Sequence, residues 1–143
     1  MRLWHKDLIP YLPRKQLVAQ WRECCAICSN LANKGTPNHL LVNKIKNYNL
    51  YMFFEYIHLV IKEMENRGYK INENSYDKCF ENFRKIITKY NWNFYSANEI
   101  YPEWHNERYL KQCLYNLQEK YDCGRISEKE WKIIEEHFDE YLD

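Results

Sequence analysis

Leu17, Trp21, Cys24, Cys28 and Leu31 recur at alternating intervals of four and three residues, a spacing that only an α-helix gathers onto one side. The stripe predicts a helix over about 14–31, with Pro13 at its start and Lys34-Gly35 at its end. On that helix Arg22 and Glu23 are adjacent, so they diverge by about 100° and each flanks the stripe. Ala19 and Ala26 lie one turn to either side of Glu23 and leave room for another group to approach its carboxylate. As an ordinary boundary pair, Arg22 and Glu23 would make surface salt bridges.

The same period governs the rest of the chain. Thr36-Pro37 supplies a cap followed by a first-turn proline and opens a short helix carrying His39, Leu40, Leu41, Lys44 and Ile45. Leu50, Phe53, Phe54, Ile57, Ile61 and Met64 predict a long helix over about 49–67, closed by Gly68. Further helices follow near 75–90 and from beyond Pro102 to Gly124, with the aromatic, asparagine-rich stretch 91–95 between them as a loop. Ser127-Glu128-Lys129-Glu130 is a capping box, and Ile126 and Trp131 stand at its staple positions. Residues 1–12 hold little periodicity and should run extended. No strand-period run or hairpin turn is present, so the expectation is an all-α fold of one domain, 1–143, with an extended N-terminal segment packed between helices.

A chain of 143 residues with 45% hydrophobic and 17% aromatic residues can bury a core without metal or disulfide staples. No apolar run reaches the roughly 20 residues of a membrane span, and the N-terminus lacks a signal-peptide layout. We therefore expect a cytoplasmic protein without membrane contact. Its six cysteines fall on predicted helices or their ends and read as small apolar core residues; Cys25 and Cys28 form a CxxC, but no second pair completes a metal site. The net charge of +1 hides a gradient: residues 1–48 carry eight Lys/Arg against two acids, and residues 127–143 carry two lysines against seven acids. Such polarity suits a protein that orients on a polyanion, although solvated helix faces give the same count.

The motifs exclude several chemistries. There is no Gly-rich phosphate loop, no Gly-x-Ser-x-Gly elbow and no His-Glu-x-x-His. His5, His39, His58 and His105 follow no ligand spacing; core or surface histidines are the ordinary reading, with His5 and His39 set apart by lying in the basic third. The α-amine of Met1 is a different kind of group. Its ordinary pKa of about 7.7–8.0 leaves a neutral fraction at pH 7 that can attack a sugar's anomeric carbon. Leu3, Trp4, Leu8 and Ile9 offer apolar anchors to hold that terminus against the body.

Leu17-x-Ala19-x-Trp21-Arg22-Glu23, the run Glu63-Met64-Glu65-Asn66-Arg67-Gly68-Tyr69 and, more faintly, Ile100-Tyr101-Pro102 resemble the pyrimidine-dimer DNA glycosylases related to phage-type endonuclease V. The opening Met1-Arg2-Leu3-Trp4-His5 is similar to that of a microbial subgroup of the same superfamily. The resemblance spans about two thirds of the chain. It implies a helical domain with its N-terminal segment threaded between helices, which cleaves the glycosidic bond of a cyclobutane dimer and then nicks the strand. By position it implies Met1 as nucleophile, Glu23 as the acid–base group, and Arg2 and Arg22 on flanking phosphates. The chain departs from the phage-type pattern in three ways. Arg2 follows Met1 where those enzymes expose a threonine, Gln16 and Ala26 replace further DNA-contacting residues, and an acidic helix replaces an aromatic-basic tail.

The sequence therefore points to a monomeric DNA-repair glycosylase with abasic-site lyase activity that needs no metal or cofactor. Met1 and Glu23 would be catalytic, and Arg2, Arg22, His5, Lys34, Lys44 and Lys46 would contact DNA. Two other readings stay open: a nucleic-acid-binding module without the chemistry, and an interaction domain using the acidic C-terminal helix with Trp131, Phe138 and Tyr141.

Overall fold

A computed structural model describes residues 2–34, 40–90 and 99–142. Six α-helices stand among them, with no strand among the described residues: α1 (Arg14–Asn33), α2 (Leu40–Ile45), α3 (Leu50–Asn66), α4 (Glu73–Tyr90), α5 (Glu107–Asp122) and α6 (Glu128–Phe138). The expected all-α class holds. The stripe on α1 is fully engaged, since Leu17, Trp21, Cys24, Ile27, Cys28 and Leu31 are buried against α3 and α4. The most apolar of the long helices, α3, buries Phe53, Tyr56, Ile57, Val60 and Ile61.

Helix ends follow local chemistry. The Asn49 side chain accepts the Tyr51 amide at 3.0 Å and caps α3, and Gly68 takes a φ of 78° just past its end. Asn106 caps α5 through the Tyr109 amide at 2.9 Å, and Gly124 repeats the left-handed stop. At α6 the Ser127 hydroxyl accepts the Glu130 amide at 3.2 Å while the Glu130 carboxylate returns to Ser127, and Ile126 and Trp131 are buried beside it. Glu130 also accepts the Arg14 amide at 3.0 Å, so one carboxylate serves the starts of two helices.

Three expectations change. Residues 6–11 are not extended: Lys6–Tyr11 form a 3-10 helix, because the His5 ring accepts the Asp7 amide at 3.1 Å and the His5 carbonyl accepts that of Leu8 at 2.9 Å. Pro10 fits within it because so short a turn needs no donor there. The six cysteines are not all core, since Cys123 follows the end of α5 and is exposed, and Cys25 is half-buried. The aromatic side chains of α6 are spent internally, with Trp131 stacked on Tyr121 at 5.3 Å and Phe138 edge-on to Tyr11 at 5.3 Å. Thr36, Pro37, His39 and the loop 91–95 lie outside the described residues.

Because Glu130 satisfies backbone donors at both helices, Glu130→Ala is expected to lower the unfolding free energy by about 1–2 kcal/mol in urea titrations.

Candidate active site

Residues 2–5 run extended with Leu3, Trp4 and His5 buried, yet they pair with no strand. Buried backbone groups must still find partners, and here side chains supply them. On α1, Gln20 falls between Leu17 and Cys24 on the apolar face and is completely buried. Its Oε1 accepts the Trp4 amide at 2.7 Å, and its Nε2 donates to the Arg2 carbonyl at 2.9 Å. Tyr56 of α3 donates its hydroxyl to the Trp4 carbonyl at 2.6 Å and lies 3.0 Å from Gln20 Oε1. From α5, Tyr109 donates to the Leu3 carbonyl at 2.5 Å. Three helices thus hold four backbone groups on three consecutive peptides.

One turn beyond Gln20, half-buried Glu23 joins the same network. Its Oε2 accepts the Arg2 amide at 3.2 Å, with Gln20 Nε2 3.5 Å away. The carboxylate is thereby aimed at the peptide that follows Met1, while part of it stays open to solvent. The Arg2 guanidinium rests 5.0 Å above the centre of the Trp4 ring, a cation–π seat.

A histidine pair fixes the next turn. His5 Nε2 donates to the His105 carbonyl at 2.9 Å, and His105 Nδ1 accepts the Lys6 amide at 2.9 Å. Since His5 Nδ1 also accepts the Asp7 amide, each ring needs one unprotonated nitrogen. The rings lie 5.1 Å apart, inside a cluster with Tyr56, Tyr101, Trp104 and Tyr109. Burial, the neighbouring His5 and the lysines Lys6 and Lys44 push His105 down to about 2, and burial lowers His5 as well, against the pull of Asp7. Tyr101 holds a φ of 46°, costly for a non-glycine residue ahead of proline, and its carbonyl accepts the His105 amide at 2.8 Å. That bend delivers His105 to the segment.

The other expected site residues are more dispersed. Arg22 is exposed beside Glu23, Lys34 is exposed at the far end of α1, and Lys44 is exposed with its ammonium 5.0 Å above Trp104. Lys46 is half-buried. His5 is 2% exposed with both nitrogens bound inside the protein, which leaves none to offer a phosphate. Met1 lies outside the described residues. A cavity of about 710 Å³ opens beside Lys6, Tyr11 and Phe138, and Glu23 does not line it. No three His, Cys, Asp or Glu side chains among the described residues are placed to hold a metal ion, and no described helix is long and apolar enough to cross a membrane.

Sequence reasoning missed Gln20, Tyr56, His105 and Tyr109 as site-building residues. Gln20 carried a signal, since it is the one polar side chain set into the α1 stripe between Leu17 and Cys24. The others carried none, because their partners are 52 to 106 residues away.

α1 thus presents a carboxylate to the second residue of a clamped N-terminal segment. The chain belongs to the pyrimidine dimer DNA glycosylase family, which matches residues 1–77. No curated protein and no solved structure matches it.

Two tests follow from the clamp. Gln20→Leu strips partners from the Trp4 amide and the Arg2 carbonyl, so it should cost about 2–4 kcal/mol in denaturant unfolding and release residues 2–4 to fast amide exchange. His105 titrates near 6.5 when unfolded but far lower when folded, so the unfolded state binds the extra proton. Its contribution to stability is complete above about pH 6.5 and is lost as pH falls toward the folded value of about 2. Thermal melts from pH 7.5 to 4 should show this decline, and His105→Phe should be less stable at pH 7.5 but show a shallower pH dependence.

Proposed function

We propose that this protein is a metal-free DNA glycosylase with abasic-site lyase activity, acting on damaged duplex as one domain and a monomer, with pyrimidine dimers the lesion class its family suggests. The observation that carries the reading is the 3.2 Å contact between the Arg2 amide and the Glu23 carboxylate. Covalent geometry keeps the α-nitrogen of the preceding residue within roughly 3.6 Å of that amide. One deoxyribose can therefore meet both groups.

In this mechanism the neutral Met1 amine attacks C1′, and the base departs with the electrons of the glycosidic bond and takes up a proton. The sugar ring opens as the C1′–O4′ bond breaks, O4′ is protonated, and the nitrogen lone pair forms an imine at C1′. Glu23 then removes a proton from C2′, the electrons form the C2′–C3′ double bond, and the 3′ phosphate leaves. Water hydrolyses the imine and restores the amine. Arg22, exposed and next to Glu23 in the chain, and Arg2, seated on Trp4, suit the flanking phosphates. Lys34, Lys44 and Lys46 add weaker, salt-sensitive contacts. His5 and Gln20 serve by position, holding the segment rather than touching DNA. The target nucleotide must leave the stack, which is easiest at a damaged step.

The test is borohydride reduction during reaction with ultraviolet-irradiated duplex and with abasic duplex. A covalent adduct mapping to Met1 is expected, and folded protein that yields no adduct on either substrate overturns the reading. Glu23→Gln should abolish nicking while keeping DNA affinity within a few-fold, and an unchanged nicking rate removes Glu23 from the role of base.

A further inference from the structure

We propose that Cys25 and Cys28 of α1 and Cys79 of α4 form a thiol–disulfide site, at which a hydroperoxide drives closure of a Cys28–Cys79 bridge between the two helices. Cys28 and Cys79 are buried, and their sulfurs lie 3.9 Å apart although 51 positions separate them in the chain. Cys79 is shared: it accepts the Cys25 thiol hydrogen and donates its own to Cys28. Cys25, three residues before Cys28, is half-buried. One thiol therefore meets solvent while two lie behind it.

The bland reading of buried cysteines is packing, as small apolar fillers. It accounts for Cys24 and Cys113, which are buried among the core side chains. It gives no reason for three thiols from two helices to converge on one another, nor for one of them to stand half in solvent. The helix itself decides which pairs can bond. Side chains three apart on α1 have Cβ atoms about 5–6 Å apart, beyond the roughly 3.5–4.5 Å that a disulfide spans. The CxxC of Cys25 and Cys28 thus cannot close on itself while α1 stays intact. Cys79 comes from another helix and escapes that limit. Bringing 3.9 Å down to the roughly 2.0 Å of a bond asks each sulfur for about 1 Å of movement, within a χ1 rotation.

Bonds and electrons balance in three steps. The Cys25 thiol gives up its proton and its sulfur attacks the terminal oxygen of the hydroperoxide; the O–O bond breaks, the leaving oxygen takes the proton, and Cys25 becomes a sulfenic acid. The Cys79 sulfur attacks the Cys25 sulfur, the S–O bond breaks, and the hydroxyl leaves as water with the Cys79 proton. Cys28 then attacks Cys79 and gives its proton to Cys25, which departs as a thiol. Two thiols have lost two electrons to one peroxide, and the bridge ends in the buried pair. The hydrogen bond to Cys79, and then burial, push the Cys25 thiol up. Against the bond from Cys25, the bond to Cys28 and burial push Cys79 up as well. Thiolate is therefore scarce and oxidation slow. The same scarcity denies the reduced state any thiolate stabilisation, so the bridge, once closed, resists reduction.

The experiment treats folded Cys123→Ser protein, which lacks the exposed thiol, with hydrogen peroxide, caps the remaining thiols with N-ethylmaleimide and maps linked peptides by mass spectrometry without reduction. A link between Cys28 and Cys79 and the loss of two cappable thiols are expected. Closing so long a loop should raise the thermal midpoint by about 10 °C. The gain should persist in reduced glutathione and be reversed by excess dithiothreitol. Cys25→Ser in the same background should form the same link more slowly, and an equal rate overturns entry through Cys25. Oxidation that stops at sulfinic or sulfonic Cys25, or that gives folded protein without the Cys28–Cys79 link, overturns the site and leaves the reading of Met1 and Glu23 untouched.

Discussion

Gln20 is the residue on which the geometry of the candidate site depends. An extended segment buried among helices has no strand partner to satisfy its peptides, and every unmet donor or acceptor there costs about 1–3 kcal/mol. A carboxamide is the side chain suited to this position, because it accepts at one atom and donates at the other. Gln20 uses both, toward Trp4 and Arg2, and the donating end also reaches Glu23. A carboxylate at the same place would lack the donor and repel Glu23; a hydrocarbon would lack both functions.

The clamp couples stability to the position of the chain's first residues. Tyr56, Tyr109 and His105 each take one further backbone group of residues 3–6, so the segment cannot shift by one peptide without breaking several hydrogen bonds at once. This gives rigidity where a mobile terminus is the ordinary outcome. For a mechanism using a main-chain amine, such rigidity replaces the preorganisation that enzymes with side-chain nucleophiles obtain from packed rotamers. Two of those clamping residues, His105 and Tyr109, lie beyond the span that matches the family, so the second half of the chain helps place the first.

Much of this was legible in the sequence because it is governed by local rules. The α1 stripe, the glycine stops at Gly68 and Gly124 and the capping box at Ser127 each depend on neighbours within a few residues, and the structure places all of them as expected. The nearness of Glu23 to the N-terminal segment came from resemblance rather than from pattern. The 3-10 helix at Lys6–Tyr11 and the histidine pair were not legible. His5 shapes that turn by accepting a local amide, but what buries it is His105, and no periodicity relates two residues 100 positions apart. Exposed Cys123 shows the same limit in reverse, since residue type argued for burial and its position at the C-terminal cap of α5, just before Gly124, decided otherwise.

The charge gradient along the chain takes on a different meaning once folded. The acidic α6 does not simply oppose the basic N-terminal third; its Glu130 carboxylate accepts the Arg14 amide and so is built into the start of the helix that bears Glu23. Its aromatic residues close the core around Tyr11 and Tyr121. The acids left exposed on α6 then carry the charge that balances Arg22, Lys34, Arg84 and Lys85 to a total near neutrality. A polyanion meeting such a molecule is repelled from α6 while it is attracted to α1 and α4. A near-neutral protein can therefore still be electrically polar, because what orients a molecule in a field is the separation of its charges and not their sum.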